Sequence, residues 1–245
     1  MSTIVLASIC GAPGVTTTTI GLGRVWPRSS LVVEADTHQA VLAGYLRASQ
    51  HAEPHLASVT NLTHSSSNVA QIVWDSIARP LPGDDPHGLR RMAVLGPSTP
   101  WSKAAIDAGW GALMKVWRQL EEAGIDTLID LGRLANPLTS NPHLIAEPII
   151  ADADMIVVMI EASLRDVAGA HAMVEGLAEQ ANLAGAHHRV GLLVHRGGAA
   201  RGVAEFTDKE ISRAFTLPVI GSGVDDRVAA AHLSLGVGAR FDNSR

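Results

Sequence analysis

Residues 10–19, Cys-Gly-Ala-Pro-Gly-Val-Thr-Thr-Thr-Thr, set two glycines beside four consecutive hydroxyls. They follow a short apolar run at 3–9 and lead into an apolar helical pattern at 15–25. A strand, a glycine-containing loop and a helix N-terminus bring backbone N–H groups to one point and add the helix dipole, which is chemistry for holding an anion. Two further strand-like runs end in carboxylates: 30–34 closes on Glu34-Ala35-Asp36, and 126–131 on Asp130-Leu131-Gly132. In doubly wound sheets ligands bind beyond the carboxyl ends of the strands. An anion loop beside acidic strand ends suits a phosphate–Mg²⁺ ligand, because a hard cation takes oxygen donors.

The elements that must position these groups are legible as alternation. Apolar runs at 3–9, 30–34, 91–95, 126–131, 154–160 and 189–194 predict strands. Helical patterns occupy about 15–25, 38–48, 68–79, 102–123, 164–183 and 207–215, with a last one near 226–235. Residues 49–67, around Pro54, and the proline-broken 80–88 read as irregular. Continuous apolar strands between helices predict an α/β fold with a doubly wound, mostly parallel sheet covered by helices on both faces. A length of 245 residues fits one domain, 1–245, and 47% hydrophobic residues supply its core. A single cysteine excludes a disulfide framework and a cysteine-rich zinc site. No signal-peptide pattern and no apolar run near 18 residues is present, so the expected compartment is cytoplasmic.

With these motifs in order, the chain resembles the ParA/MinD family of P-loop ATPases, which position chromosomes, plasmids and division sites. The family's deviant phosphate loop, K-G-G-x-G-K-T-T, is in register with Cys10-Gly11-Ala12-Pro13-Gly14-Val15-Thr16-Thr17. Its D-x-D strand end aligns with Glu34-Ala35-Asp36, and its Walker B aspartate with Asp130. Ala153-Asp154-Met155-Ile156-Val157-Val158 and Leu217-Pro218-Val219-Ile220-Gly221 match two later family motifs. The resemblance implies a P-loop NTPase fold and ATP with Mg²⁺ as cofactors. It places phosphates on Gly11, Ala12, Pro13, Gly14, Val15, Thr16 and Thr17, Mg²⁺ on Thr16, and water- or metal-directed roles on Asp36 and Asp130. His195 falls where the family has an adenine-reading asparagine.

The departures carry as much information. Both family lysines are absent: Cys10 replaces the one that reaches across a dimer, and Val15 the one that grips the β- and γ-phosphates. Only three lysines exist, Lys103, Lys115 and Lys209. Phosphoryl transfer depends on such positioned charge, single groups being worth ~10²–10³ in rate. The expectation is therefore a degenerate Walker A site in a positioning or regulatory protein, retaining at most weak ATP–Mg²⁺ binding and little hydrolysis. The alternative is a nucleotide-independent scaffold, a pseudo-ATPase, of the same fold.

Other readings compete at single positions. The hydroxyls of Thr16 to Thr19 would equally serve as helix caps. Glu34, longer than the family's aspartate, is a doubtful water-orienting group. Cys10 at a helix N-terminus has the setting of an activated thiol, or of a small buried residue. Pro54 spoils His51 and His55 as a zinc pair. Glu34 lies 20 residues beyond Gly14, as a ribose-binding acid would in an NAD(P)-binding Rossmann oxidoreductase, but the G-x-G-x-x-G glycines are missing. A net charge of −5 with no basic run disfavours nonspecific DNA binding. The mixed terminus Gly238-Ala239-Arg240-Phe241-Asp242-Asn243-Ser244-Arg245 is no membrane-targeting helix. A protein partner or cargo, and a homodimer implied by the family, remain.

Overall fold

The computed structural model describes residues 3–9, 14–36, 41–46, 56–62, 68–82, 88–96, 103–133, 152–183, 189–196 and 206–224, with 230 and 233. Eight strands form one sheet: β1 Thr3–Ser8, β2 Ser30–Glu34, β3 Arg79–Pro80, β4 Arg91–Val94, β5 Asp126–Arg133, β6 Met155–Glu161, β7 Val190–Arg196 and β8 Val219–Val224. Their order is β3-β4-β2-β5-β1-β6-β7-β8. Every pairing is parallel except β3 with β4. The helices are α1 Val15–Val25, α2 Leu42–Tyr45, α3 Leu56–Leu62, α4 Val69–Ile72, α5 Lys103–Glu122, α6 Leu164–Leu183 and α7 Asp208–Phe215.

Alternation within the strands divides the core between two faces. Val5 and Ala7 of β1 join Val33, Ile129, Trp110, Trp117 and Phe215 in one large cluster under α3 to α7. Leu6 turns the other way, toward Val15 of α1, and Val32 and Leu128 pack with Ile20 there. Gly23 lets α1 approach the sheet: a Cβ at that position would lie 2.5 Å from Val32 Cγ2. The doubly wound expectation is met.

Four boundaries differ from the sequence reading. Residues 49–67 contain α3, whose Leu56 and Val59 are buried. The expected helix over 68–79 is α4 followed by a π-helical turn, Val73–Ile77, and it gives way at Arg79 because that residue pairs with β4. Pro80 sits in β3, at the sheet edge, where its missing N–H costs nothing. β8 was missed altogether, since Gly221-Ser222-Gly223 interrupts its apolar pattern. The expected helix at 38–48 survives in the described residues as α2, and of 226–235 only 230 and 233 are described, both helical. Among the described residues no helix is long and apolar enough to cross a membrane.

Candidate functional site

The carboxyl ends of β1, β2 and β5 meet at the start of α1. Gly14 takes φ +76°, a left-handed backbone that turns the chain from the loop into the helix. The α1 N-terminus has no side-chain cap. Two of the hydroxyls read as caps are engaged elsewhere: Thr19 Oγ1 donates to the Val15 carbonyl at 2.9 Å, and the Thr17 hydroxyl pairs with that of Tyr45 at 2.8 Å. Thr16 turns its hydroxyl to the Asp130 carboxylate. With glycine at the N-cap, the helix end is suited to an anion.

Val15 gives the opposite signal. Its side chain is 2% exposed and belongs to a cluster with Leu6, Val157 and Met159. Position 15, where the sequence resemblance would expect a phosphate-gripping lysine, is therefore part of the core. Cys10, Gly11, Ala12 and Pro13, like His51 and His55, lie outside the described residues.

The acidic strand ends do converge. Glu34 and Asp130 are register partners between β2 and β5, both 1% exposed. Burial pushes the Asp130 carboxyl up to about 7, and the nearby charges of Glu34 and Asp36 push the same way. The Thr16 hydroxyl and the Gly132 N–H, which donates to Oδ1 at 2.9 Å, oppose that rise. Asp130 Oδ2 is buried without a hydrogen-bonding partner among the described residues. Burial also raises Glu34, against three backbone N–H bonds that favour its charge. Val41 and Leu42 donate to Oε1 at 2.5 and 2.7 Å, and Gly96 to Oε2 at 2.8 Å.

Two glycines missed as site residues make this packing possible. A Cβ on Gly96 would lie 2.8 Å from Glu34 Oε2, and one on Gly132 only 2.2 Å from Asp36 Oδ2. Gly132 also has φ +61°, unfavourable for any side chain. Its place two residues beyond Asp130, just after the apolar run 126–131, was the available signal.

His195 is the penultimate residue of β7, opposite Glu161 of β6 and Gly223 of β8. Three strand spacings separate β7 from β5, about 14 Å, so His195 does not join the carboxylates. It flanks the same edge from the far side of β1. The order also corrects the Rossmann oxidoreductase alternative. There the acid-bearing second strand pairs with the first; here β5 separates β1 from β2 and moves Glu34 out of that relation.

The donor set is compatible with Mg²⁺ beside a phosphate. A threonine hydroxyl and a buried carboxylate with one unpartnered oxygen are hard oxygen groups, and Mg²⁺ usually keeps several waters rather than a full protein cage. Accordingly, no cluster of three or more His, Cys, Asp or Glu side chains suited to a metal occurs among the described residues. For a phosphate clamp the fit is poor, since Val15 offers no charge.

No protein-family model and no curated protein matches the sequence. Solved structures do match in shape. The cell division ATPase MinD of Pyrococcus furiosus aligns over 100% of this chain and 93% of its own, at TM-score 0.66 and 15% identity. A ParA family ATPase from Chlorobium tepidum TLS aligns over 96% and 90%, at TM-score 0.66 and 14% identity. The septum site-determining protein MinD of Pyrococcus horikoshii OT3, complexed with Mg-ADP, covers 97% and 87% at TM-score 0.63 and 15% identity. At such identities the similarity establishes architecture, and the chain has the fold of the ParA/MinD P-loop ATPases.

Proposed function

We propose that this chain is a ParA/MinD-like positioning or regulatory protein whose degenerate site binds ATP with Mg²⁺ weakly and hydrolyses it poorly or not at all. The observation that carries the reading is the contrast between Val15, buried among apolar side chains, and Asp130, buried beside Thr16 with an oxygen to spare. Backbone groups from Gly11 to Thr17 would hold phosphates. The Thr16 hydroxyl and, through water, Asp130 and Asp36 would hold Mg²⁺, with His195 on the base side. Mg²⁺ would supply charge neutralisation at the phosphates. The chain's own acids cannot do so, and without a lysine the cost of bringing several negative charges together is only partly met.

Glu34 has no place in hydrolysis in this reading, because both of its oxygens are engaged by backbone N–H groups. Action through a protein partner or cargo, as a homodimer, follows from the family resemblance. The nucleotide-independent scaffold is the second reading, favoured by the same burial of Val15.

A thermal melt with and without Mg²⁺–ATP separates the two, with GTP and NAD as controls. Ligand at 100 times Kd adds ~2.7 kcal/mol, roughly 5–10 °C at ~2–4 °C per kcal/mol for a chain of this size. A shift with ATP supports the nucleotide-binding reading. No shift at millimolar ligand establishes the scaffold.

A further inference from the structure

Glu34 and Tyr45 lie at opposite ends of α2, and each makes a long-range bond that local helix formation does not require. At the start, Glu34 Oε1 accepts from the N–H groups of Val41 and Leu42, while Oε2 accepts from Gly96 at the end of β4. One buried carboxylate thus ties α2 to two strands. At the other end, the Tyr45 hydroxyl meets Thr17 Oγ1 in the first turn of α1, at 2.8 Å. Between them Leu42 and Ala43 are buried in the cluster that holds Ile20, Leu81 and Leu95. A four-residue helix has no stability of its own, so these ties and that packing decide where Tyr45 stands.

We propose that Glu34 and Tyr45 are positioning residues that preset Thr17 as a phosphate donor. A hydroxyl has one proton and accepts as well as donates. Either hydroxyl of this pair can donate; with Tyr45 donating to Thr17 Oγ1, the Thr17 proton is left for a phosphate oxygen, and the two-hydroxyl chain strengthens that bond. The ligand class is a phosphate-bearing molecule at the loop, so this consequence rests on the nucleotide-binding reading, whereas the latch itself exists without ligand. Glutamate is required by reach. An aspartate, one methylene shorter, cannot meet Val41, Leu42 and Gly96 together, and the space above Gly96 is filled by the Glu34 side chain itself.

Tyr45 is the only tyrosine in the chain, so 3-fluorotyrosine labelling yields one ¹⁹F resonance that reports on it alone. Without ligand and below each variant's melting transition, Glu34→Asp and Thr17→Val are expected to move that resonance toward its unfolded position. Glu34→Gln, which keeps the length and the two bonds to Oε1 but turns its NH2 toward the Gly96 N–H, is expected to move it less than Glu34→Asp. A resonance indifferent to both Glu34→Asp and Thr17→Val, in variants that circular dichroism shows to be folded, overturns the latch. In a second arm, Tyr45→Phe is expected to weaken Mg²⁺–ATP binding about fivefold, the loss of one hydrogen bond. Unchanged affinity overturns the presetting of Thr17. If the native protein binds no Mg²⁺–ATP, the nucleotide reading fails, and the ¹⁹F arm alone decides the latch.

Discussion

Two groups of residues flanking the same strand ends differ in what their burial costs. On the α1 side, the residue in register with a phosphate-gripping lysine is Val15, absorbed into an apolar cluster with Leu6, Val157 and Met159. On the β2–β5 side, Glu34 and Asp130 are buried side by side, where burial and neighbouring negative charge disfavour the charged form of each. A core position rewards a branched apolar side chain and gives up charge readily. Buried carboxylates reward nothing in the folded state unless something else uses them. Glu34 is held by the backbone N–H groups of Val41, Leu42 and Gly96, whereas Asp130 keeps one buried oxygen without a partner among the described residues.

Asp130→Asn is expected to have the largest effect on this contrast. A carboxyl raised from 3.8 to about 7 binds its proton more tightly folded than unfolded. Its contribution vanishes below about pH 4, where both states are protonated. Native stability therefore falls as pH rises from about 4 to 7 and levels off above. Asparagine removes that fall, so the variant gains stability relative to the native protein as pH rises through this window. Urea denaturation at pH 4, 5.5 and 7.5 checks both slope and sign. Glu34 adds a fall of the same sign.

Gly132→Ala breaks the acidic half sterically. The left-handed backbone and a Cβ 2.2 Å from Asp36 Oδ2 together cost about 3 kcal/mol, read as a lower urea midpoint at constant m. On the loop side, Val15→Ala loses about 2 kcal/mol by leaving a cavity. Val15→Lys sharpens the comparison: its ammonium faces apolar neighbours, so the variant melts below native without ligand and regains much of that loss with Mg²⁺–ATP. Thr16→Val is smallest, about 1 kcal/mol, and raises the Asp130 carboxyl further by removing a hydroxyl that favours its charge. A pH titration of stability shows the steepest part of the fall moving upward.

Most of the fold was legible because burial on both sheet faces writes strands as unbroken apolar runs, as in Leu31-Val32-Val33 and Ile156-Val157-Val158. β8 escaped because an edge strand needs no such run, and Val219-Ile220 gives way to Gly221-Ser222-Gly223. The loop and acidic strand ends were visible as local motifs. The latch was not: Glu34 bonds to Gly96, 62 positions away, and Thr17 to Tyr45, 28 away, pairings that only the sheet order and the docking of α2 create. The burial of Val15 was hidden for a related reason, since a valine at the head of a helix reads alike whether it faces a loop or a core.

The central claim is the proposed weak, Mg²⁺-dependent binding of ATP beside Thr16 and Asp130, and calorimetric titration of ATP with Mg²⁺ or with EDTA tests it most directly. The account predicts weak binding that requires Mg²⁺ and is lost in Asp130→Ala. Binding of equal strength in EDTA, or none at millimolar Mg²⁺–ATP, would contradict it.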